Sequence, residues 1–116
     1  MRQRLAEEGT VNKAEALEVL RPELGRWRSR PWSALRERIE ASPEAGWPRR
    51  RQYSEKSEIR GDGGTLYQVQ IDIFWDDEPD GVIRVTGAVD DGGLRAFVPL
   101  TEDFLARPDG TFVGEN

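Results

Sequence analysis

From Thr65 to Trp75 apolar and polar side chains alternate along the chain. The odd positions are Thr65, Tyr67, Val69, Ile71, Ile73 and Trp75, and the even ones are Leu66, Gln68, Gln70, Asp72 and Phe74. A period of two predicts a half-buried strand with its odd face inward. Residues 82–89 place Ile83, Val85, Gly87 and Val89 on one face, and 94–98 place Leu94, Ala96 and Val98 on one face. Residues 53–60 offer Tyr53 and Ile59 inward, with Lys56, Glu58 and Arg60 outward. A short strand so charged belongs at a sheet edge.

Register follows from holding the apolar residues on one face. Ile59 then opposes Tyr67 and Tyr53 opposes Ile73. This needs an odd loop, Asp62-Gly63-Gly64, with a glycine in the left-handed region. In the next pair Trp75 opposes Ile83, Ile73 opposes Val85, and Val69 opposes Val89. Ile71 faces Gly87, which leaves room for a bulky neighbour. For the last pair a turn at Asp90-Asp91-Gly92-Gly93 sets Val89 opposite Leu94 and Val85 opposite Val98.

The first third of the chain has the helical period instead. Residues 1–9 are charged and predict a frayed helix or tail. Asn12 followed by Glu15 has the form of a helix cap with its capping-box partner. Ala16, Leu17, Leu20 and Leu24 recur at helical spacing. Pro22 predicts a kink or an ending near Leu20–Arg21, and Gly25 a stop. Pro31 opens a second helix with Trp32, Leu35 and Ile39 as its stripe. Ser42-Pro43 ends it, and residues 41–52 read as a loop. After Pro99 the expectation is a helical turn over 101–105, a Pro-Asp-Gly turn, and Phe112-Val113 as a docking segment. The predicted architecture is one α+β domain over 1–116. Two N-terminal helices (within 11–40) pack on one face of a four-stranded antiparallel meander, and the sheet and its C-terminal segment fill 53–116.

The same register assigns Leu66, Gln68, Gln70, Asp72, Phe74, Val82, Arg84, Thr86, Ala88, Arg95 and Phe97 to the second face. Asp72, Thr86 and Phe97 form one row, and Phe74 and Arg84 belong to the next. The mixture is too apolar for a plain solvated face and too polar for a core. Two readings stand. Phe104, Leu105, Phe112 and Val113 fold back over this face, or it meets a partner, since aromatics and Arg concentrate at interface centres.

Composition narrows the chemistry. The 116 residues include no cysteine and no histidine. Disulfides, thiol nucleophiles, zinc sites built on Cys or His, and Ser-His-Asp triads are therefore excluded. The net charge of −5 hides a split: residues 1–60 carry 14 basic against 10 acidic side chains, residues 61–116 only 3 against 12. Such polarity fits halves that face each other, or one strongly charged face. No continuous apolar stretch reaches membrane-spanning length, and the N-terminus lacks the apolar core of a secretory signal, so a cytoplasmic chain is expected.

In the predicted meander the loop 76–81 and the segment after Pro99 share one end, gathering Asp76, Asp77, Glu78, Asp80, Glu102 and Asp103. Such a set is what a hard cation or an acid/base pair requires. Acidic turn residues are more often solvated turn formers. Arg26-Trp27-Arg28-Ser29-Arg30-Pro31-Trp32 interleaves cations with aromatics, as nucleic-acid-binding segments do. In a net acidic chain the structural reading is favoured. In it the tryptophans pin the helix junction to the sheet and the arginines offset the acidic half, and no direct nucleic-acid binding is expected. Gly61-Asp62-Gly63-Gly64 lacks the helix and Lys-Ser/Thr of a phosphate loop and reads as a hairpin turn.

Phe74-Trp75-Asp76-Asp77, Asp90-Asp91-Gly92-Gly93, Ala96-Phe97, Pro99-Leu100, Phe104 and the string from Pro108 to Glu115 together resemble a family of small bacterial proteins of unknown function. The likeness spans about residues 66–115. It implies a shared fold and transfers no activity and no site. The expectation from the residues is a non-catalytic binding or regulatory protein. It has no cofactor and no resident metal, and it meets a protein with a basic surface as immunity proteins and inhibitors do. The candidate contact residues are Asp72, Phe74, Asp76, Asp77, Glu78, Asp80, Arg84, Phe97, Glu102 and Asp103. The alternative is a carboxylate-dependent metal-binding protein or hydrolase acting at the acidic end.

Overall fold

The computed structural model describes residues 2–45, 49–91 and 99–114, with side chains from Lys13 onward apart from Ala45. Helix α1 spans Arg2–Arg28 and α2 spans Trp32–Glu40. A two-residue strand β1 (Glu44–Ala45) precedes four longer ones: β2 (Arg50–Arg60), β3 (Leu66–Trp75), β4 (Ile83–Asp90) and β5 (Leu100–Ala106). The strands lie in chain order in an antiparallel sheet. The expected α+β meander is therefore present, with β1 added inside the stretch read as a loop.

The odd face is the core. Tyr67, Val69, Ile71, Ile73, Ile83, Val85 and Val89 are buried together with Ala16, Leu20, Leu24 and Trp27 of α1 and Leu35 and Ile39 of α2. Every predicted pairing of β2, β3 and β4 is present, from Ile59 opposite Tyr67 to Ile71 opposite Gly87. The loop between β2 and β3 closes with Gly61 N–H donating to Thr65 O at 2.8 Å. Gly64 stands at φ +91°, the region expected of a glycine there.

The two stop signals fail for one reason: burial outweighs them. α1 runs on through Pro22 and Gly25. Pro22 and Glu18, whose carbonyl loses its helical partner at the proline, are both exposed, while Leu24 and Trp27 beyond them are buried. Asn12 lies inside α1 and begins nothing. Glu15 has a different role from a capping partner. It accepts from Tyr67 Oη at 2.8 Å and from Gly63 N–H at 3.1 Å, tying α1 to the first hairpin.

The C-terminal expectation also changes. Residues 101–105 are not a helical turn but the middle of β5, which takes the place beside β4 expected for 94–98. Val89 opposes Leu100 and Val85 opposes Phe104. Leu100, Phe104 and Ala106 share the core face, so an amphipathic period of two underlies the acidic run Thr101-Glu102-Asp103. Phe112 does not cover the second face. It bridges Ala106 and packs edge-on to Phe104, with ring centroids 5.6 Å apart.

Burial, with the Glu15 hydrogen bond and charge, pushes the Tyr67 phenol from 10.0 up to about 12. A phenol that holds its proton more tightly folded than unfolded stabilises the fold below its unfolded pKa, and that contribution disappears as pH climbs through about 12. Tyr67→Phe is therefore expected to lose less stability than wild type between pH 10 and 12. Urea melts across that window test it, and parallel slopes for the two proteins would refute it.

Candidate functional site

The second face of the sheet is built by the even positions of β2, β3 and β4 and the odd positions of β5. Ser54, Asp72, Thr86 and Asp103 stand in one row across four strands, and Gln52, Phe74, Arg84 and Leu105 in the next. Among the described residues no helix lies on this face. Phe74, Val82 and Leu105 are half-buried there and Leu66 is 39% exposed.

Two polar clusters cross it. In the first, Ser54 Oγ donates to Asp72 Oδ1 at 2.6 Å, and Gln70 Nε2 donates to both Asp72 oxygens at 3.1 and 3.2 Å. Gln52 Nε2 donates to Ser54 Oγ at 3.1 Å. In the second, Arg84 Nε donates to Asp76 Oδ1 at 2.8 Å while its other arm holds the Asp103 carboxylate. The hydrogen bond to Asp76, with the charge of both carboxylates, raises the Arg84 guanidinium above its ordinary pKa. Arg50 lies 4.0 Å over the Phe74 ring. A shallow cleft of about 410 Å³ beside the first cluster is lined by Lys56, Gln68, Gln70, Ala88, Asp90 and Pro99.

The structure thus gathers Asp72, Phe74, Arg84 and Asp103, with Asp76 joined through Arg84. It separates the others. Asp77 and Glu78 are exposed on the loop after β3. Asp80, in the left-handed region at φ 69°, pairs with Arg36 of α2 at 2.8 Å. Glu102 is not at the acidic end. It stands opposite Gly87 on the helix side and binds Arg21 at 2.8 and 3.1 Å, clamping α1 to β5. Phe97 lies outside the described residues, and Asp103 holds the place in the row expected for it. Ser54 and Leu105 were missed. Ser54 follows from the pairing of Tyr53 with Ile73, whereas Leu105 requires β5 to be recognised as a strand.

In the tryptophan-arginine segment the tryptophans pin the helix junction to the sheet, whereas Arg26 pairs with Glu23 and Glu55 of the first half and not with the acidic second half. Trp27 is buried, tilted 5.5 Å from Tyr53, and its Nε1–H donates to Glu55 at 2.7 Å. Trp32 Nε1–H donates to Gly81 O at 3.0 Å. Arg30 and Arg38 stack on the Trp27 ring at 4.7 and 5.6 Å.

The carboxylates of the second face are held by hydroxyl, amide and guanidinium donors, and among the described residues no three acidic side chains converge as a cation requires. No described helix is long and apolar enough to cross a membrane. No family model matches the chain, and no curated protein or solved structure is significantly similar to it.

Proposed function

We propose that this is a non-catalytic binding protein of the inhibitor or immunity type, acting in the cytoplasm, whose second sheet face docks a protein with a basic surface. One observation carries the reading. Phe74, Arg84, Val82 and Leu105 form a mixed aromatic and cationic patch on a face that no described helix covers, and aromatics and Arg are the side chains that anchor interface centres.

The charge of the patch supports a basic partner. Asp72, Asp76 and Asp103 share the face with Arg50, Lys56 and Arg84, and Asp77 and Glu78 add two exposed carboxylates at the rim that tip the balance towards acid. Rim charges of this kind act on association rate more than on the final affinity. The prefixed donors also lower the ordering cost of docking, because Arg84 is already held by two carboxylates. In this reading the likeness of residues 66–115 to small bacterial proteins marks a common scaffold. The hydrolase alternative has no comparable support, since Asp76 and Asp103 are both committed to Arg84.

Comparative affinity capture from the native host tests the proposal. Wild type is expected to retain a basic protein that Phe74→Thr does not, with both baits equally folded by circular dichroism. With that partner in hand, Asp77→Asn/Glu78→Gln is expected to slow association about threefold to tenfold and to flatten its salt dependence. Retention by both baits alike, or an association rate indifferent to salt, would remove the reading.

A further inference from the structure

Strand β2 is an edge for most of its length. Gln52–Arg60 pair with β3 on one side, but β1 covers only Arg50 and Arg51 on the other. Among the described residues nothing else pairs with that side. Gly61 N–H bonds inward to Thr65, and backbone groups alternate along an antiparallel ladder. Ser54, Lys56, Glu58 and Arg60 therefore aim their N–H and C=O groups outward. Such a row is a template for another strand.

We propose that the occupant is β2 of a second copy, antiparallel and related by a two-fold axis through Ser57. Pairing must keep the apolar side chains of both copies on one side, which leaves few registers. Centred on Lys56, the pairing sets Lys56 against Lys56 and runs Gly61 of the second copy opposite Arg51, where Glu44 of β1 already sits. Centred on Glu58, it sets Glu58 against Glu58 and Lys56 against Arg60. Centred on Ser57, it sets Lys56 opposite Glu58 twice and Ser54 opposite Arg60. It ends with Gln52 opposite Asp62, one residue short of β1 and beside Arg51.

Sterics exclude the first of these registers and charge excludes the second. Lys56 and Glu58 are both exposed, so each is available to the other copy. The contact is isologous, and it closes as a dimer rather than extending as a fibre. It joins the two meanders into one sheet with about eight new backbone hydrogen bonds. The helices of both copies stay on one side and the second faces run together on the other.

Charge reversal tests both the contact and its register. Wild type at roughly 100 µM is expected to sediment with the mass of two chains. Lys56→Glu and Glu58→Lys each place like charges opposite one another twice and are expected to raise the dissociation constant about tenfold or more. The double variant Lys56→Glu/Glu58→Lys is expected to recover the dimer. An equimolar mixture of the two single variants is expected to form the heterodimer in preference to either homodimer. Both sites are exposed, so each variant is expected to fold, which circular dichroism checks. Monomeric wild type at that concentration would overturn the proposal, as would a double variant no better than the singles. Neither result touches the second-face reading, which rests on Phe74, Val82, Arg84 and Leu105.

Discussion

Trp27→Ala is expected to cost the fold about 3–5 kcal/mol, which is a large share of the stability of a domain this size. The indole is only 2% exposed. Two contacts join it to the sheet, its ring on Tyr53 and its Nε1–H bond to Glu55 at 2.7 Å, and Arg30 and, from α2, Arg38 stack on the ring. Truncation opens a cavity and takes the Trp27 donor from Glu55, which keeps its bond from Arg26. Trp27→Phe separates these contributions, because it keeps most of the buried ring and removes the hydrogen bond with a few ring atoms. Its expected cost is about 1–2 kcal/mol. Urea denaturation of the two variants decides the matter. Equal losses would show that the bond to Glu55, not the buried ring, holds the helix in place. Losses below about 1 kcal/mol in both would mean that Trp27 is not a core anchor.

That anchor also explains which parts of the fold could be read in advance. Where one face of a strand is apolar, a slip of one residue exposes the whole set, so parity alone specified the pairing of β2, β3 and β4. The outward face followed by subtraction, and with it Asp72, Phe74 and Arg84. Helix boundaries were harder. Pro22 and Gly25 are genuine local stop signals, but each costs only a few kcal/mol at most, and burying Leu24 and Trp27 recovers that. β5 is not legible in the sequence because Thr101-Glu102-Asp103 resembles a capped first helical turn, and Leu105 on the outward face blurs the alternation of Leu100, Phe104 and Ala106. Missing β5 misplaced two site residues at once. Asp103 moved from the acidic end to the centre of the second face, and Glu102 moved to the opposite face, where Arg21 neutralises it. Charge patterns along the chain cannot reveal such partners, because Arg21 and Glu102 lie 81 residues apart.

Gly87→Val is expected to destabilise by about 2–3 kcal/mol, although valine is the better strand residue. A Cβ at this position would stand 2.7 Å from Leu20 Cδ1 and 3.1 Å from two atoms of Leu24. Leu20 is fully buried, so it has little free volume into which to retreat. Gly87 is thus the notch in β4 that admits the leucine ridge of α1. Gly87→Ala is expected to cost less, about 1 kcal/mol, since reduced freedom of the unfolded chain partly offsets the contact. The decisive measurement is a double-mutant cycle. Leu20→Ala alone should cost about 2–5 kcal/mol through its cavity. In the Gly87→Val background the valine methyls fill part of that cavity, and the closest clash, with Leu20, is gone while the contact with Leu24 remains. The pair should therefore lose at least about 1 kcal/mol less than the sum of the single changes. Strict additivity would mean that α1 does not seat its leucines on Gly87, and the packing of helix on sheet that leaves the second face free would have to be redrawn.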